Sequence, residues 1–322
     1  MPTLHLANQG SKLRLRSGRL VVTGPDGAVL GSVPARKVRR VVVHGNVGIT
    51  TPALTFLLRQ EVTVTFVSLS GRMYGMAASL PLPAADRIAK QLELARSGYA
   101  LEFARAFVQA KISSQIEHLR RKGESGRTIQ EIRSWLRQLE RTATLEKVRG
   151  LEGMASRLYF SRLASLLPQL GFEKRLRRPP RDAVNATLSY GYAMLLGTVA
   201  SALVHAGLHT EIGLLHVTGR RKPSLALDLM EEFRVAMVDI PVISGFLRGR
   251  LRASEAVVTQ NGVVLGDELK KNLIEIFEER LASPSPVGKK SYEELIFYQA
   301  ERLAAAIVHG KRYRPFVLPR GG

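Results

Sequence analysis

The chain has 322 residues, of which 45% are hydrophobic, and its 48 Lys and Arg against 27 Asp and Glu give a formal net charge of +21. The hydrophobic content excludes wholesale disorder, and the lack of cysteine excludes disulfides, zinc fingers and thiol nucleophiles. The excess of positive charge predicts a polyanionic partner. Nucleic acid is favoured over an anionic membrane surface, because the basic residues are not gathered on one amphipathic helix.

The first 75 or so residues predict β-structure. Short runs rich in Val and Leu, several of them alternating with polar residues, are separated by turn signals such as Ser17-Gly18. The predicted strands cover residues 4–6, 12–16, 19–23, 28–30, 38–43 and 62–68. One short helix is predicted over 51–60, where Pro52 follows a pair of threonines.

A proline-marked segment then separates this region from one dominated by helical periodicity. Asp86 is the expected cap of the first helix, and Asn261-Gly262 between apolar runs predicts a lone hairpin. The predicted helices cover 86–122, 128–142, 144–167, 182–205, 224–234, 267–282 and 291–308. We therefore predict an α+β protein with a small β domain at 1–78, a linker at 79–86 and a larger all-α domain at 87–322.

Nothing in the sequence predicts a membrane protein. The N-terminus lacks the charged and apolar pattern of a signal peptide. The longest apolar stretch, 192–207, is shorter than the roughly 20 residues that a membrane span needs. We expect a cytoplasmic protein with no membrane partner.

Acidic side chains concentrate in one segment of this basic chain. His216 precedes a basic turn, and Asp228, Glu231 and Glu232 follow it. Asp228 can share a helix face with either glutamate, because residues three and four apart are neighbours on a helix. Carboxylates and imidazole suit Mn²⁺ or Mg²⁺. A solvated acidic face paired with Arg234 is the alternative, and spacing alone does not choose between the glutamates.

Two further segments contain candidate site residues. Glu152 is followed by Gly153, which would let a substrate approach closely; the alternative is an exposed glutamate paired with Arg149 or Arg157. Basic residues surround a Pro-Pro turn before Asp182, a predicted helix cap, and precede Pro223 in a second turn. Such loops suit phosphate contacts, although many are simply solvated. The candidates for contact with nucleic acid are Arg178, Arg181 and Lys222.

Taken together, these segments resemble the CRISPR-associated adaptation integrase, the universal nuclease that captures spacers. Four motifs, in the family's order, carry the resemblance. They are Arg-Gly-x-Glu-Gly…Ala-x-Arg-x-Tyr at 149–159, Pro-Arg-Asp-x-Val-Asn-Ala-x-Leu-Ser-Tyr-Gly-Tyr-Ala-x-Leu at 180–195, Gly-x-Leu-His at 213–216, and Ser-Leu-Ala-x-Asp-Leu-Met-Glu-Glu-Phe-Arg at 224–234. The resemblance implies an N-terminal β-sandwich-like domain that dimerises and a C-terminal helical catalytic domain.

The resemblance also assigns roles to the candidate residues. It implies that Glu152, His216 and Glu231 hold Mg²⁺ or Mn²⁺, with Asp228 as an accessory acid, and it leaves Glu232 at the surface. Arg234 falls where the family keeps a basic residue near the DNA phosphate. Some members have aspartate in place of Glu231.

The activity implied is that of a metal-dependent DNA endonuclease and integrase, a hydrolase-class enzyme of antiviral defence. A 3′-hydroxyl of a short DNA fragment, or water, would attack a phosphodiester, and the spacer would join a repeat array. The implied partners are double-stranded DNA, a second copy of the chain and a small companion protein with a ferredoxin-like fold. The alternatives are a non-catalytic basic DNA-binding scaffold, and a general metal-dependent nuclease without integration.

Overall fold

The computed structural model describes residues 3–69, 71–79, 84–176, 179–216 and 222–320. The chain divides into two compact units, Met1–Pro81 and Leu82–Gly322, and the division lies inside the linker expected at 79–86. The first unit is built mainly of strands and the second mainly of helices, as the α+β prediction required.

The described part of the N-terminal unit contains short strands and one helix. In chain order these are β1 (Thr3–Leu6), β2 (Lys12–Arg16), β3 (Arg19–Thr23), β4 (Val29–Pro34), β5 (Arg40–His44), β6 (Gly48–Ile49), α1 (Thr51–Arg59), β7 (Thr63–Val67) and β8 (Met73–Ala77). The strands form two sheets of four, in the orders β1-β5-β7-β8 and β4-β3-β2-β6. This arrangement confirms the sandwich-like prediction. Strands β6 and β8 were not predicted, because the Gly-Ile pair of β6 carries no alternating pattern and β8 has a glycine at its centre.

The N-terminal sheets share an apolar core. Val41, Val43 and Val64 are buried on the central strands, and Leu57 of α1 packs into the same cluster. The hairpin between β2 and β3 turns at Ser17-Gly18, where both residues have positive φ (46° and 72°). This is the backbone that a two-residue hairpin with right-handed strand twist needs, so the predicted turn is confirmed.

The C-terminal unit is helical apart from one hairpin in its described residues. Its elements are α2 (Ala84–Arg96), α3 (Ala100–Arg121), α4 (Arg127–Glu140), α5 (Leu145–Leu166), α6 (Ala183–His205), α7 (Ser224–Met230), a π-helical turn (Val235–Asp239), α8 (Ile240–Leu247), β9 (Ala256–Thr259), β10 (Gly262–Leu265), α9 (Asp267–Ala282) and α10 (Tyr292–His309). The α3, α4 and α5 helices pack against one another, and α6 packs against α7, α10 and the π-helical turn. These contacts bring together side chains that are far apart in sequence.

Two of the predicted helices differ from the structure. The segment 86–122 forms two helices, broken at Ser97-Gly98, where the Ser97 hydroxyl accepts from the Tyr99 N–H (3.2 Å) and competes with helical pairing. Asp86 lies in the first turn of α2 and does not cap it. The helix expected at 224–234 ends at Met230.

The long helix α6 is the one helix, among the described residues, with the length and hydropathy of a membrane span, and 72% of that stretch is buried inside the protein. Its apolar residues therefore pack in the core of the C-terminal unit. Asp182 caps it by accepting from the Asn185 N–H at 2.7 Å, as predicted. Gly191 permits close packing, since a Cβ there would lie 2.8 Å from Val238 Cγ1.

Candidate active site

A buried lysine joins the two candidate glutamates. Lys111 of α3 contacts Glu152 Oε1 on the adjacent helix α5, and its Nζ lies 2.7 Å from Glu231 Oε2. Glu152 Oε1 also accepts from the Ser156 hydroxyl at 3.0 Å. The Lys111 side chain is only 5% exposed. Glu152 is thus partnered by Lys111, and the structure shows no ion pair with Arg149 or Arg157 among the residues it describes.

Glu231 has a second cationic neighbour. The Arg234 Nε lies 2.8 Å from Glu231 Oε2, and both side chains are buried. Two carboxylates, Glu152 and Glu231, are therefore matched by two cations, Lys111 and Arg234.

These neighbours keep both carboxylates ionised. Burial raises the pKa of Glu231, but Arg234 and Lys111 outweigh that effect and lower the pKa to about 2. Burial also raises the pKa of Glu152, and Lys111 again overcomes it, so this pKa lies below its usual value. The His216 imidazole also lowers the pKa of Glu231, by less than Arg234 and Lys111 do.

Asp228 organises the loop that carries His216. Its Oδ2 accepts from the backbone N–H groups of Leu214 (2.6 Å) and Leu215 (2.9 Å). Its Oδ1 accepts from the His216 N–H (2.9 Å) and lies 2.7 Å from His216 Nδ1. Because the imidazole uses Nδ1 for this contact, Nε2 is the nitrogen left for a ligand.

Glycine is required where this loop closes on α7. A Cβ on Gly213 would lie 2.6 Å from the His216 carbonyl oxygen and 2.6 Å from Ser224 Cβ. Any larger residue would push the loop away from Asp228. The Gly-x-Leu-His motif therefore has a steric reason for its glycine.

A buried polar network lies behind Arg234, and sequence reasoning missed it. Tyr192 of α6 donates to Asp239 Oδ1, and Tyr159 of α5 donates to Asp239 Oδ2 at 3.0 Å. The Arg234 guanidinium carbon lies 4.7 Å from the centroid of the Tyr192 ring, a cation–π contact. Asp239 ends the π-helical turn, a geometry that is frequent at functional sites.

Glu232 was expected at the surface, and that expectation is wrong. Its side chain is fully buried, with 0% exposure. It accepts from the Tyr313 hydroxyl, the Phe316 N–H (2.7 Å) and the Gln299 amide (2.8 Å). Glu232 thus fixes the segment 310–320 after α10 against the core, immediately beside Glu231.

The candidate basic residues have different environments. Arg181 is exposed, Lys222 is half-buried, and Arg178 lies outside the described residues. Arg234 is 8% exposed and pairs with Glu231, so it belongs to the centre of the site and not to its surface. Arg175, not among the candidates, donates to Asn185 Oδ1 (2.8 Å) and Ser189 Oγ (2.9 Å) on α6.

The sequence contains a signal for the role of Lys111. This lysine lies between Ala110 and Ile112, and its position along α3 falls among the buried residues Phe107, Val108 and Ser114. A lysine among core positions needs an acidic partner.

The donor chemistry at this site fits a divalent cation. Among the described residues, no three His, Asp or Glu side chains already converge as a complete metal site. The Lys111 ammonium nevertheless lies between Glu152 and Glu231, so this position favours a positive charge. Two carboxylates and an imidazole Nε2 are ligands that Mg²⁺ and Mn²⁺ accept.

Comparisons with known proteins identify relatives. Residues 4–279 match the family model described as CRISPR associated protein Cas1. The chain is 48% identical to "CRISPR-associated endonuclease Cas1 1" of Thermus thermophilus, over 99% of this chain and 100% of that protein.

Two solved structures share the fold. A "Casposase bound to integration product" superposes with a TM-score of 0.87 at 21% identity, over 100% of this chain and 95% of the other. A chain of a "Cas6-RT-Cas1--Cas2 complex" superposes with a TM-score of 0.83 at 24% identity, over 100% of this chain and 36% of the other.

Proposed function

Because the chain belongs to the Cas1 family of CRISPR-associated proteins, we propose that it joins short DNA fragments into a repeat array by metal-dependent phosphoryl transfer. Membership makes the chain an endonuclease and integrase of CRISPR spacer acquisition. The observation that carries the mechanism is the meeting of Glu152 and Glu231, 79 residues apart by number, around one buried cation.

We propose that Glu152, His216 and Glu231 hold one Mg²⁺ or Mn²⁺. A bound ion would supply Lewis-acid chemistry at the scissile phosphate and its leaving oxygen. The lowered pKa values of both glutamates support the proposal, since a ligand must be deprotonated.

Asp228 acts through His216. With the proton of the imidazole on Nδ1, facing Asp228 Oδ1, the Nε2 lone pair is directed away from the carboxylate. The same Asp228 accepts hydrogen bonds from three backbone N–H groups, and these bonds fix the position of the loop that carries His216. Asp228 is therefore assigned as a positioning residue and His216 as the ligand.

Arg234 is the cation best placed to meet developing negative charge on the phosphoryl oxygens. Its guanidinium is held by Glu231 on one side and by the Tyr192 ring on the other. Arg178, Arg181 and Lys222 are proposed as contacts with the DNA backbone, where the net charge of +21 favours binding that tolerates many sequences.

The proposed assembly is a homodimer that works with a small companion adaptation protein. One of the structurally similar chains comes from a complex of Cas1 with Cas2, which supports a companion of that kind. The β-sandwich unit is the proposed dimer contact.

The decisive experiment is strand transfer of a fragment with a free 3′-hydroxyl into a plasmid carrying a repeat, with and without Mn²⁺. We expect Glu152→Ala and His216→Ala to lose strand transfer while binding duplex DNA as before. The exposed Lys147→Ala, on the same helix as Glu152, is the matched control for a surface change and should retain strand transfer.

The same assay separates the alternative functions. A non-catalytic scaffold would join nothing in any metal, and a nuclease without integration would cut equally well when the 3′-hydroxyl is blocked. If Glu152→Ala joins fragments at the wild-type rate, the ligand assignment is wrong.

A further inference from the structure

Lys111 occupies the place where the proposed mechanism needs a metal ion. Its ammonium contacts one oxygen of each glutamate, Glu152 Oε1 and Glu231 Oε2. With Arg234 paired to Glu231 as well, the local charge is balanced before any metal arrives. A divalent cation bound by the same carboxylates would have an ammonium group as its immediate neighbour, an unfavourable pairing in a poorly hydrated site.

The structure also holds an acceptor for this ammonium. Gln115 lies one helical turn after Lys111 on α3, so the two side chains share a face. Gln115 is 1% exposed; its amide nitrogen donates to Ser156 Oγ at 3.3 Å, whereas its Oε1 is buried without a hydrogen-bond partner. A buried acceptor without a donor is costly, and a lysine amine on a flexible four-carbon stem can supply the donor.

We propose that Lys111 is an internal counter-cation that the metal displaces, and that its ammonium then moves from the two glutamates to Gln115 Oε1. This inference rests on the proposed metal site of Glu152, His216 and Glu231. In the metal-free protein Lys111 keeps the two carboxylates together and suppresses their repulsion. In the metal-bound protein the same ammonium donates a hydrogen bond to the Gln115 side-chain carbonyl. This bond offsets part of the free energy lost when Lys111 leaves the two glutamates.

The test compares Mn²⁺ binding by calorimetry in the wild type and in Lys111→Met. Without metal, the variant should melt at a lower temperature, because the buried Glu231 and the half-buried Glu152 lose a partner. With the competing charge gone, it should bind Mn²⁺ at least tenfold more tightly, and Mn²⁺ should raise its Tm more than that of the wild type. Lys122→Met, which removes a lysine at the end of the same helix, is the control and should bind Mn²⁺ like the wild type.

A double substitution tests the movement itself. Gln115→Leu should weaken Mn²⁺ binding several-fold in the wild-type background, because the displaced ammonium loses its acceptor. In the Lys111→Met background the same change should leave Mn²⁺ affinity unaltered. Equal effects in both backgrounds would show that the ammonium does not move to Gln115.

The outcomes distinguish this inference from the proposed function. If wild type and Lys111→Met bind Mn²⁺ equally well, and Glu152→Gln abolishes binding in both, the metal site stands and the displacement is refuted. If neither protein binds Mn²⁺, the proposed metal site itself fails. If the Met variant does not fold without metal, Lys111→Gln replaces it in the same Mn²⁺ titration. This variant removes the positive charge but keeps an amide that can donate to the carboxylates.

Discussion

At the scale of single residues, Asp228 fixes the loop that carries His216. Both of its oxygens are committed to the loop of residues 214–216, and its side chain is fully buried. An acid in this position sets the tautomer and the direction of His216. Outer partners of this kind tune a metal centre as strongly as some direct ligands do.

Asp228→Asn should therefore weaken the site without removing a proposed ligand. An amide presents one acceptor and one donor, so at least one of the backbone N–H groups at 214–216 would face another donor. We expect Mn²⁺ affinity to fall by about 10- to 100-fold, and stability to fall by roughly 1–3 kcal/mol. Calorimetric titration and urea unfolding measure the two effects.

The matched control is Asp267→Asn in the first turn of α9. This side chain is fully exposed, and its ion pair with Lys270 is a surface contact of little energetic weight, so the change should leave both quantities nearly unaltered. Wild-type Mn²⁺ affinity in Asp228→Asn would mean that His216 does not need Asp228 for its orientation.

Sequence reasoning at this scale reached the acids and, as an alternative, their pairing with Arg234, but it did not reach Lys111. Glu152, His216 and Glu231 lie in recognisable motifs. Lys111 lies 41 residues before Glu152, in a helix whose pattern predicts only core packing. The pairing depends on how α3 lies against α5, and helix packing cannot be read from the spacing of either helix alone. The same limit hid the burial of Glu232, whose partners follow 67–84 residues later.

At the scale of elements, helices α3, α5 and the π-helical turn are tied by one chain of polar contacts. His118 Nδ1 lies 2.7 Å from the Tyr159 hydroxyl, which in turn donates to Asp239. Burial, helped by Lys122 and Arg121, lowers the pKa of His118 to about 3. The imidazole is therefore neutral in the folded protein over the whole range in which a solvated histidine takes up a proton.

Because the folded protein keeps His118 neutral, we expect the free energy of unfolding to fall in acid. Between pH 6.5 and about 3 the unfolded chain binds a proton that the folded His118 rejects, so stability is complete above 6.5 and falls as the pH falls. His118→Gln keeps a donor to Tyr159 and cannot titrate. Its unfolding free energy should decline less steeply than the wild type's, by up to about 1.4 kcal/mol per pH unit.

Urea unfolding at pH 7 and pH 5, followed by fluorescence of Trp135 on α4, measures this difference in the helical unit. The exposed His309→Gln is the matched control and should retain the wild-type pH dependence. An unchanged slope in His118→Gln would refute the burial of a neutral imidazole.

Periodicity predicted most helices of the C-terminal unit to within one or two residues of their observed bounds. It failed at the break at Ser97-Gly98, and it failed after Met230, where neither the π-helical turn nor helix α8 was predicted. The π-helical turn at Val235–Asp239 is stabilised by packing of α6 at Gly191, a tertiary contact with no local signature.

At the scale of the whole molecule, the excess of basic residues determines how the protein meets DNA. The 48 Lys and Arg exceed the 27 Asp and Glu by 21, so many basic charges are left unbalanced within the chain and are available to phosphates. Composition predicted this property, and the change from alternating to helical periodicity predicted the two-part fold. Neither could predict which basic residues contact DNA.

Duplex affinity should therefore depend strongly on salt. If the protein neutralises about 6–10 phosphates, its affinity should fall by roughly 10³–10⁵ between about 50 and 200 mM salt. Fluorescence anisotropy with labelled duplex measures the slope. Arg181→Ala should make the slope shallower by about one, and Glu152→Gln should not change it. A slope near zero would exclude backbone-dominated binding.

The anchoring of residues 313–316 on Glu232 also has a consequence for how the protein is made. Glu231 emerges from the ribosome together with Glu232, but the Phe316 N–H that bonds Glu232 is translated 84 residues later. At about 5–20 residues per second, the nascent site lacks this support for roughly 4–17 seconds. A growing chain that already contains every proposed ligand therefore lacks the contacts that hold Glu232, beside Glu231, until the segment 313–316 has been made.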